Sequence, residues 1–306
     1  MALTLSLLWR GPLASCNFDC AYCPFAKRRD SRRTLEADRA VLRRFVDWIA
    51  ARPAEDRLSI LFIPWGEGVI RRHYREALLR LSHLPQMETV AIQTNLSAPM
   101  GWVAGADARR LAFWCTWHPG QMELGRFLER CATLRRHGIG FSAGVVGVPE
   151  HRPAVAALRA ALSPEVYVWV NGLASHSYTA AEIDAFAAAD PLFELSLHRP
   201  WPSRGQACGA GERSVAVDGD GTVRRCPFLA EPLGNLYRDD VAGLLRPRPC
   251  PAESCRCHIG YVQLDRLRLD EVFGRGLLPR IPAQPPTRAM ARERLAQRTQ
   301  VSATGR

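Results

Sequence analysis

The sequence predicts an α/β fold: a partial (βα)6 barrel in residues 1–199, followed by a small, irregular, Cys-rich extension in residues 200–281 that contains a β-hairpin. Three observations carry this prediction. Short apolar runs of strand length recur six times, interleaved with helical periodicities. The runs are too continuously apolar to face water, as in a parallel sheet covered by helices. Near Pro200-Trp201-Pro202 the alternation stops and the composition turns to Gly, Pro and Cys. Six units are too few for a closed eight-stranded barrel, hence a partial one.

The elements follow in order. Residues 3–8 form a first strand, and Ser31 or Thr34 caps a helix whose apolar positions Leu35, Val41, Leu42, Phe45, Val46, Trp48 and Ile49 recur at helical spacing. Residues 59–63 (SILFI) make the second strand, 73–84 a helix, and 89–93 (TVAIQ) the third strand. Residues 110–117 carry the fourth strand, and 124–137 an amphipathic helix stopped by Gly138. The fifth strand spans 139–148, a helix 153–162 and the sixth strand 166–170, before Thr179 caps a last helix to about residue 189. In the extension, residues 214–217 and 222–225 flank the turn Asp218-Gly219-Asp220-Gly221, a hairpin signature. The tail, 282–306, is Pro- and Arg-rich and is expected to be partly disordered.

With 47% hydrophobic and 23% charged residues, the composition is that of a soluble globular protein. No apolar run reaches the roughly 18 residues that a spanning helix needs, so no membrane partner is expected. Net charge is +11, carried almost wholly by arginine, Lys27 being the sole lysine. The densest basic run, 27–33, suits steering of an anionic substrate or partner rather than nucleic-acid readout, so nucleic acid is not the expected partner. The 10 cysteines group by spacing, which favours metal binding in a reducing, cytoplasmic setting over disulfides.

The strongest signal is Cys16-Asn17-Phe18-Asp19-Cys20-Ala21-Tyr22-Cys23, directly after the first strand. With 10 cysteines in 306 residues, this C-x3-C-x2-C spacing arises by chance with a probability of about 0.01, so it demands a chemical reason. Three thiolates on one tight loop suit three corners of an iron–sulfur cube, leaving one iron open. A zinc site would need a fourth Cys or His nearby, and the nearest histidine is His73. Leu13-Ala14-Ser15-Cys16 resembles a lipoprotein cleavage box, but Arg10 and Pro12 interrupt the apolar segment and no basic stretch precedes it.

This loop, with Tyr22 before its third cysteine, resembles the cluster loop of the radical S-adenosylmethionine superfamily. The resemblance implies a TIM-like partial barrel, a [4Fe-4S] cluster on Cys16, Cys20 and Cys23, and S-adenosyl-L-methionine chelated to the open iron. Further residues fall where that family places cofactor contacts. Gly66 and Glu67 match its Gly-Gly-Glu segment, with Trp65 in place of the first Gly, and Asn95 matches its Thr-Asn segment. Ala143, Val145, Gly147 and Glu150 follow its G-x-I-x-G-x-x-E pattern with Ala for the first Gly, and Ser142 of the same strand joins the expected contacts. Asn171 stands where the adenine pocket closes. His118 after strand four and Cys115 within it are candidates for direct contact with the reacting groups, Cys115 as a hydrogen donor.

The remaining cysteines, Cys208, Cys226, Cys250, Cys255 and Cys257, resemble the twitch and SPASM auxiliary-cluster extensions of one branch of that superfamily. Cys208, Gly221 and Cys226 carry the match; the later group departs from the SPASM pattern. Five cysteines suffice for one further [4Fe-4S] cluster with four ligands, the fifth being undetermined, and a structural zinc knuckle is the alternative. The resemblance implies reductive cleavage of S-adenosylmethionine to a 5′-deoxyadenosyl radical that abstracts hydrogen from a substrate carbon. The electron would come from an external flavodoxin- or ferredoxin-type donor. A ribosomally made peptide is the expected substrate, with or without a separate recognition protein, because the first strand begins the chain; a small molecule of a biosynthetic pathway is the alternative.

Overall fold

The computed structural model describes residues 2–25, 28–197 and 199–300; Lys27 of the basic run and residues 301–306 of the tail lie outside the described residues. Six strands pair in parallel in chain order: β1 (Thr4–Arg10), β2 (Arg57–Phe62), β3 (Met87–Thr94), β4 (Leu111–Thr116), β5 (Gly140–Gly147) and β6 (Val168–Gly172). The crossovers carry α1 (Arg32–Ala50), α2 (Arg72–Ser82), α3 (Leu124–Arg136) and α4 (Arg152–Ala161), and α5 (Ala180–Ala187) follows β6. Between β3 and β4 there is only a single 3-10 turn, Gly101–Gly105.

The local chemistry matches these boundaries. The Ser31 hydroxyl accepts from the Thr34 N–H at the start of α1, and Thr179 and Glu182 form a reciprocal capping box on α5. Gly138 ends α3 at φ +67°, a conformation that costs a β-carbon-bearing residue about 1–2 kcal/mol.

The hairpin is not a separate module. Its first strand, β8 (Ser214–Asp218), pairs in parallel with β1 in the register Ser6↔Ser214 to Arg10↔Asp218. It turns back antiparallel into β9 (Thr222–Arg224), which pairs with β10 (Pro232–Asn235). The main sheet therefore has nine strands in the order β10-β9-β8-β1-β2-β3-β4-β5-β6, an open order with β10 and β6 at its edges. A second small ladder joins β7 (Trp201–Pro202) to β11 (Ser254–Cys255). The remaining helices are the short turns α6 (Val241–Leu244), α7 (His258–Tyr261) and α8 (Leu269–Phe273), and α9 (Arg288–Gln300).

Alternation along the strands divides the core in two. Leu7, Trp9, Phe62, Ile92, Phe113 and Val145 point toward the crossover helices, where Trp9, Phe45, Phe62 and Tyr74 pack as an aromatic cluster. Leu8, Leu61, Ala91, Trp114 and Trp169 point the other way, into a second core completed by Trp201, Tyr261, Leu264 and Phe273 of the extension. Each fully buried side chain of this size contributes roughly 1.5–3 kcal/mol, so the extension is an integral half of the core rather than an appendage.

Within the tail, residues 288–300 form α9, while the last residues, 301–306, where disorder is expected, lie outside the described residues. In α9 Ala291 is fully buried, and the Arg288 guanidinium donates to Asp184 at 2.7 Å. The Pro and Arg density hid a helix whose contacts come from distant parts of the chain. Among the described residues no helix is long and apolar enough to cross a membrane.

Candidate functional site

The chain leaves β1 at Arg10 and enters the three-cysteine loop through residues 13–15, and two carboxylates fix this entry. Asp38, fully buried on α1, accepts from the Leu13 N–H at 3.1 Å and from Tyr74, and its other oxygen lies 2.9 Å from His73 Nε2. One oxygen of Asp30 accepts from the N–H groups of Ala14 and Ser15 and from the Ser15 hydroxyl, at 2.9, 2.8 and 2.8 Å. Burial acts to raise the Asp30 carboxyl, but the N–H groups of Ser15 and Ala14 outweigh it and hold the carboxyl below its ordinary value. Sequence reasoning found neither acid, since nothing in the spacing distinguishes them from other helix-start carboxylates.

Residues 65–67 run alongside this entry. The Gly66 N–H donates to Leu13 O at 3.3 Å, and the Glu67 N–H to Ser15 O at 3.1 Å. A β-carbon at Gly66 would stand 2.0 Å from the Ser15 carbonyl oxygen, so only glycine permits this approach. Glu67 is buried and its carboxylate is spent within the protein. It accepts from Val69 N–H and the Thr94 hydroxyl, both at 2.8 Å, and from Asn95 N–H at 2.6 Å. Burial nonetheless raises its pKa. Its three hydrogen bonds position the end of β3.

That end matters because Asn95 Nδ2 lies 3.6 Å from the Cys16 sulfur and 3.1 Å from Asn17 Oδ1. The turn is set by Leu96, buried at φ +57°, a conformation that strains a non-glycine residue, with its N–H on the Thr94 hydroxyl at 3.0 Å.

The far side of the loop faces the residues after β4. His118 Nδ1 lies 2.9 Å from the Tyr22 hydroxyl and 3.4 Å from the Cys20 sulfur, and Gln121 accepts from the Asp19 N–H at 3.0 Å. Burial lowers His118 to about 4, with His151 adding to the effect, so its imidazole is neutral near pH 7. His118 thus clasps the cysteine loop. Burial pushes the Cys16 thiol up to about 11, and Glu67, Cys20 and Cys23 push the same way. A cation or cluster at the loop would reverse this.

Two of the expected site residues make contacts within the protein. Cys115 faces the crossover helices with Cys131, because Trp114 and Thr116 take the inner side of β4; fully buried there, its thiol is core. Ser142 points inward, and its hydroxyl donates to Pro279 O at 2.6 Å, tying the extension to β5. Gly147 is held by the Tyr178 hydroxyl, which donates to its carbonyl at 2.5 Å, and Asn171 Oδ1 accepts from Arg280 at 2.8 Å.

The five C-terminal cysteines line one cavity of about 240 Å³, rimmed by the exposed Phe228. The thiols act on one another: burial raises the Cys255 thiol and so do Cys226, Cys257, Cys208 and Cys250, while Cys226 is raised further by Cys208 and Cys250. Cys257 also faces two cations. Burial raises it, and the charges that pull it back are Arg280 and Arg10. Among the described residues no three His, Cys, Asp or Glu side chains gather tightly enough to hold a single metal ion. A cubane puts each thiolate on its own iron, so thiols spread around a cavity fit it better than they fit one tetrahedral zinc.

The class these features define is a mostly parallel α/β sheet with a three-cysteine loop at the C-terminal ends of its strands and a cysteine-lined cavity beside it. Solved structures with this fold include a histidine-tagged form of anSMEcpe with bound AdoMet, at a TM-score of 0.51 and 14% identity over 98% of this chain and 96% of that one. Native anSMEcpe with bound AdoMet aligns at 0.51 and 12% identity over 98% and 97%, and its complex with AdoMet and the Kp18Cys peptide at 0.50 and 12% over 97% of each. No family model and no curated protein matches the chain.

Proposed function

We propose that this chain is a radical S-adenosylmethionine enzyme that abstracts hydrogen from a substrate carbon, with a ribosomally made peptide as the substrate class. The observation that carries the reading is the Cys16-Cys20-Cys23 loop, held between residues 65–67, the Asn95 turn and His118 at the strand ends. When bound there, a [4Fe-4S] cluster with AdoMet supplies the electron and the radical-forming cleavage. The protein's own part is positional. Asp30 and Asp38 fix the loop's entry, Gly66 lets a second backbone lie against it, and Glu67 orients Asn95 beside Cys16. Exposed Arg32, Arg33 and Arg39 on α1, just after the loop, suit docking of an acidic flavodoxin- or ferredoxin-type donor. The peptide reading draws support from the likeness to anSMEcpe solved with the Kp18Cys peptide.

A second [4Fe-4S] cluster belongs, in this reading, on four of the five thiols Cys208, Cys226, Cys250, Cys255 and Cys257. Anaerobic reconstitution tests both parts. The expected outcome is about eight irons per chain with matching sulfide, and 5′-deoxyadenosine formed from AdoMet under reduction. One tightly bound zinc and no cleavage of AdoMet would refute the proposal.

A further inference from the structure

We infer that the inner core around Arg280 is a binding site for a carboxylate group carried by the substrate; this rests on the function proposed above. Arg280 is 1% exposed, yet its guanidinium forms no ion pair among the described residues. Nη1 donates to the neutral Asn171 Oδ1 at 2.8 Å, Nη2 lies 3.5 Å from the Ser196 hydroxyl, and Nε has no acceptor. The guanidinium stands 4.9 Å from the ring centre of Trp169 and 5.3 Å from that of Trp114. Its backbone, at φ +54°, is in the left-handed region.

The surroundings are rich in donors and poor in acceptors. The indole N–H groups of Trp114 and Trp169 are buried without partners, and the rings pack together with that of His258, Trp114 at 5.5 Å from His258 and 5.8 Å from Trp169. The nearby buried acid, Asp190, is occupied: it accepts from the Tyr167 hydroxyl and from the N–H groups of Val170 and Leu192. A buried charge is ordinarily paired, and buried donors ordinarily find acceptors. Asp190 and Cys257 are near enough to act on the Arg280 charge, but neither is hydrogen-bonded to the guanidinium among the described residues, so water would satisfy the donors without giving the cation a bonded counter-charge. A carboxylate satisfies both, through charge-assisted bonds to the guanidinium edge. A phosphate dianion would bring a second charge with no cation to match it. Asn171, at the C-terminal end of β6, places the site toward the strand ends that carry the cysteine loop.

The test uses the full chain, with acetate and benzoate as probes against their neutral isosteres acetamide and benzamide at equal ionic strength. Binding is read by calorimetry and by melting temperature. The acids should bind at least tenfold more tightly than the amides. Arg280→Gln should abolish the difference and Arg280→Lys retain part of it. Asn171→Asp supplies an internal carboxylate at the position now 2.8 Å from Nη1. It should raise the melting temperature of the free protein and erase the effect of added acid, a result that does not depend on Arg280→Gln folding. Equal binding of acids and amides, no binding of either, or discrimination that survives in Asn171→Asp would overturn the inference, as would inorganic phosphate binding more tightly than the acids. Competition between benzoate and AdoMet would give the carboxylate to the cofactor and overturn the substrate assignment. Because the acid–amide difference needs neither iron nor turnover, failure of AdoMet cleavage would count against the proposed function alone.

Discussion

Gly66→Ala is the sharpest perturbation of the cysteine loop. The added β-carbon would stand 2.0 Å from Ser15 O, 2.5 Å from Ser15 C and 2.8 Å from Ala14 C, all backbone atoms of the neighbouring segment. That segment cannot retreat freely, because Asp30 and Arg71 hold Ser15 and Asp38 holds Leu13. Relief therefore means separating residues 13–15 from 66–67, with loss of the Gly66 N–H to Leu13 O and Glu67 N–H to Ser15 O bonds. Two such bonds at about 1 kcal/mol each, plus about 1–3 kcal/mol for forced overpacking, give a destabilisation of about 3–5 kcal/mol. Guanidinium unfolding of the apoprotein followed by tryptophan fluorescence measures it, and iron content after reconstitution reports on the loop. Gly68→Ala is the control, since its β-carbon would meet only the side chains of Ile92 and Tyr74, at 3.1 Å. If Gly66→Ala unfolds with Gly68→Ala and keeps its iron, the reasoning about the clasped loop is wrong.

Other outcomes follow from the same geometry. Cys226→Ala should bind about four irons fewer than the parent, and of single Ala substitutions at Cys208, Cys250, Cys255 and Cys257 one should bind as many as the parent and so mark the spare thiol; full iron content in Cys226→Ala would refute the cluster's placement. Asp30 has a folded pKa below its ordinary 3.8, so the unfolded chain takes up its proton first. Its stabilising effect is full above about pH 4 and is lost as pH falls through the folded value, so Asp30→Asn should flatten the acid limb of a stability-against-pH curve. Gly144→Ala would drive a β-carbon to 2.1 Å from the Trp169 ring and 2.2 Å from its carbonyl oxygen, and should abolish the near-ultraviolet circular dichroism of the packed tryptophans. Gly125→Ala, in open space on α3, should instead raise stability by about 0.5–1 kcal/mol in thermal unfolding.

Local patterns made the first six strands legible, because parallel strands buried on both faces read as continuous apolar runs. The same continuity hid which face each residue takes. Cys115 and Trp114 are equally plausible inward residues until β3 and β5 fix the pleat. Gly66 was found through its resemblance to a motif, yet the close contact with Ser15 that explains it is non-local. The hairpin at residues 214–224 was marked by its turn chemistry, but strand propensity does not name a partner, and nothing in Ser214 to Asp218 specifies β1. Asp30, Asp38 and Arg280 escaped notice because single charged residues acquire meaning only from what surrounds them. The helix Arg288–Gln300 was obscured by composition: its buried positions include an arginine, Arg294, and one small residue, Ala291.

The pairing of β1 with β8 has a consequence for the order in which the chain is made. Residues 4–10 are synthesised early, but the strand that covers their second edge comes some 200 residues later. At about 5–20 residues per second, roughly 10–40 seconds pass between the two. Throughout that interval β1 offers a row of unpaired amides and carbonyls, and Trp114 and Trp169, as they emerge, lack the extension that will cover them. The nascent chain is thus adhesive on one strand edge and one sheet face until its last third arrives. A chain truncated near residue 199 would keep that state permanently and should aggregate.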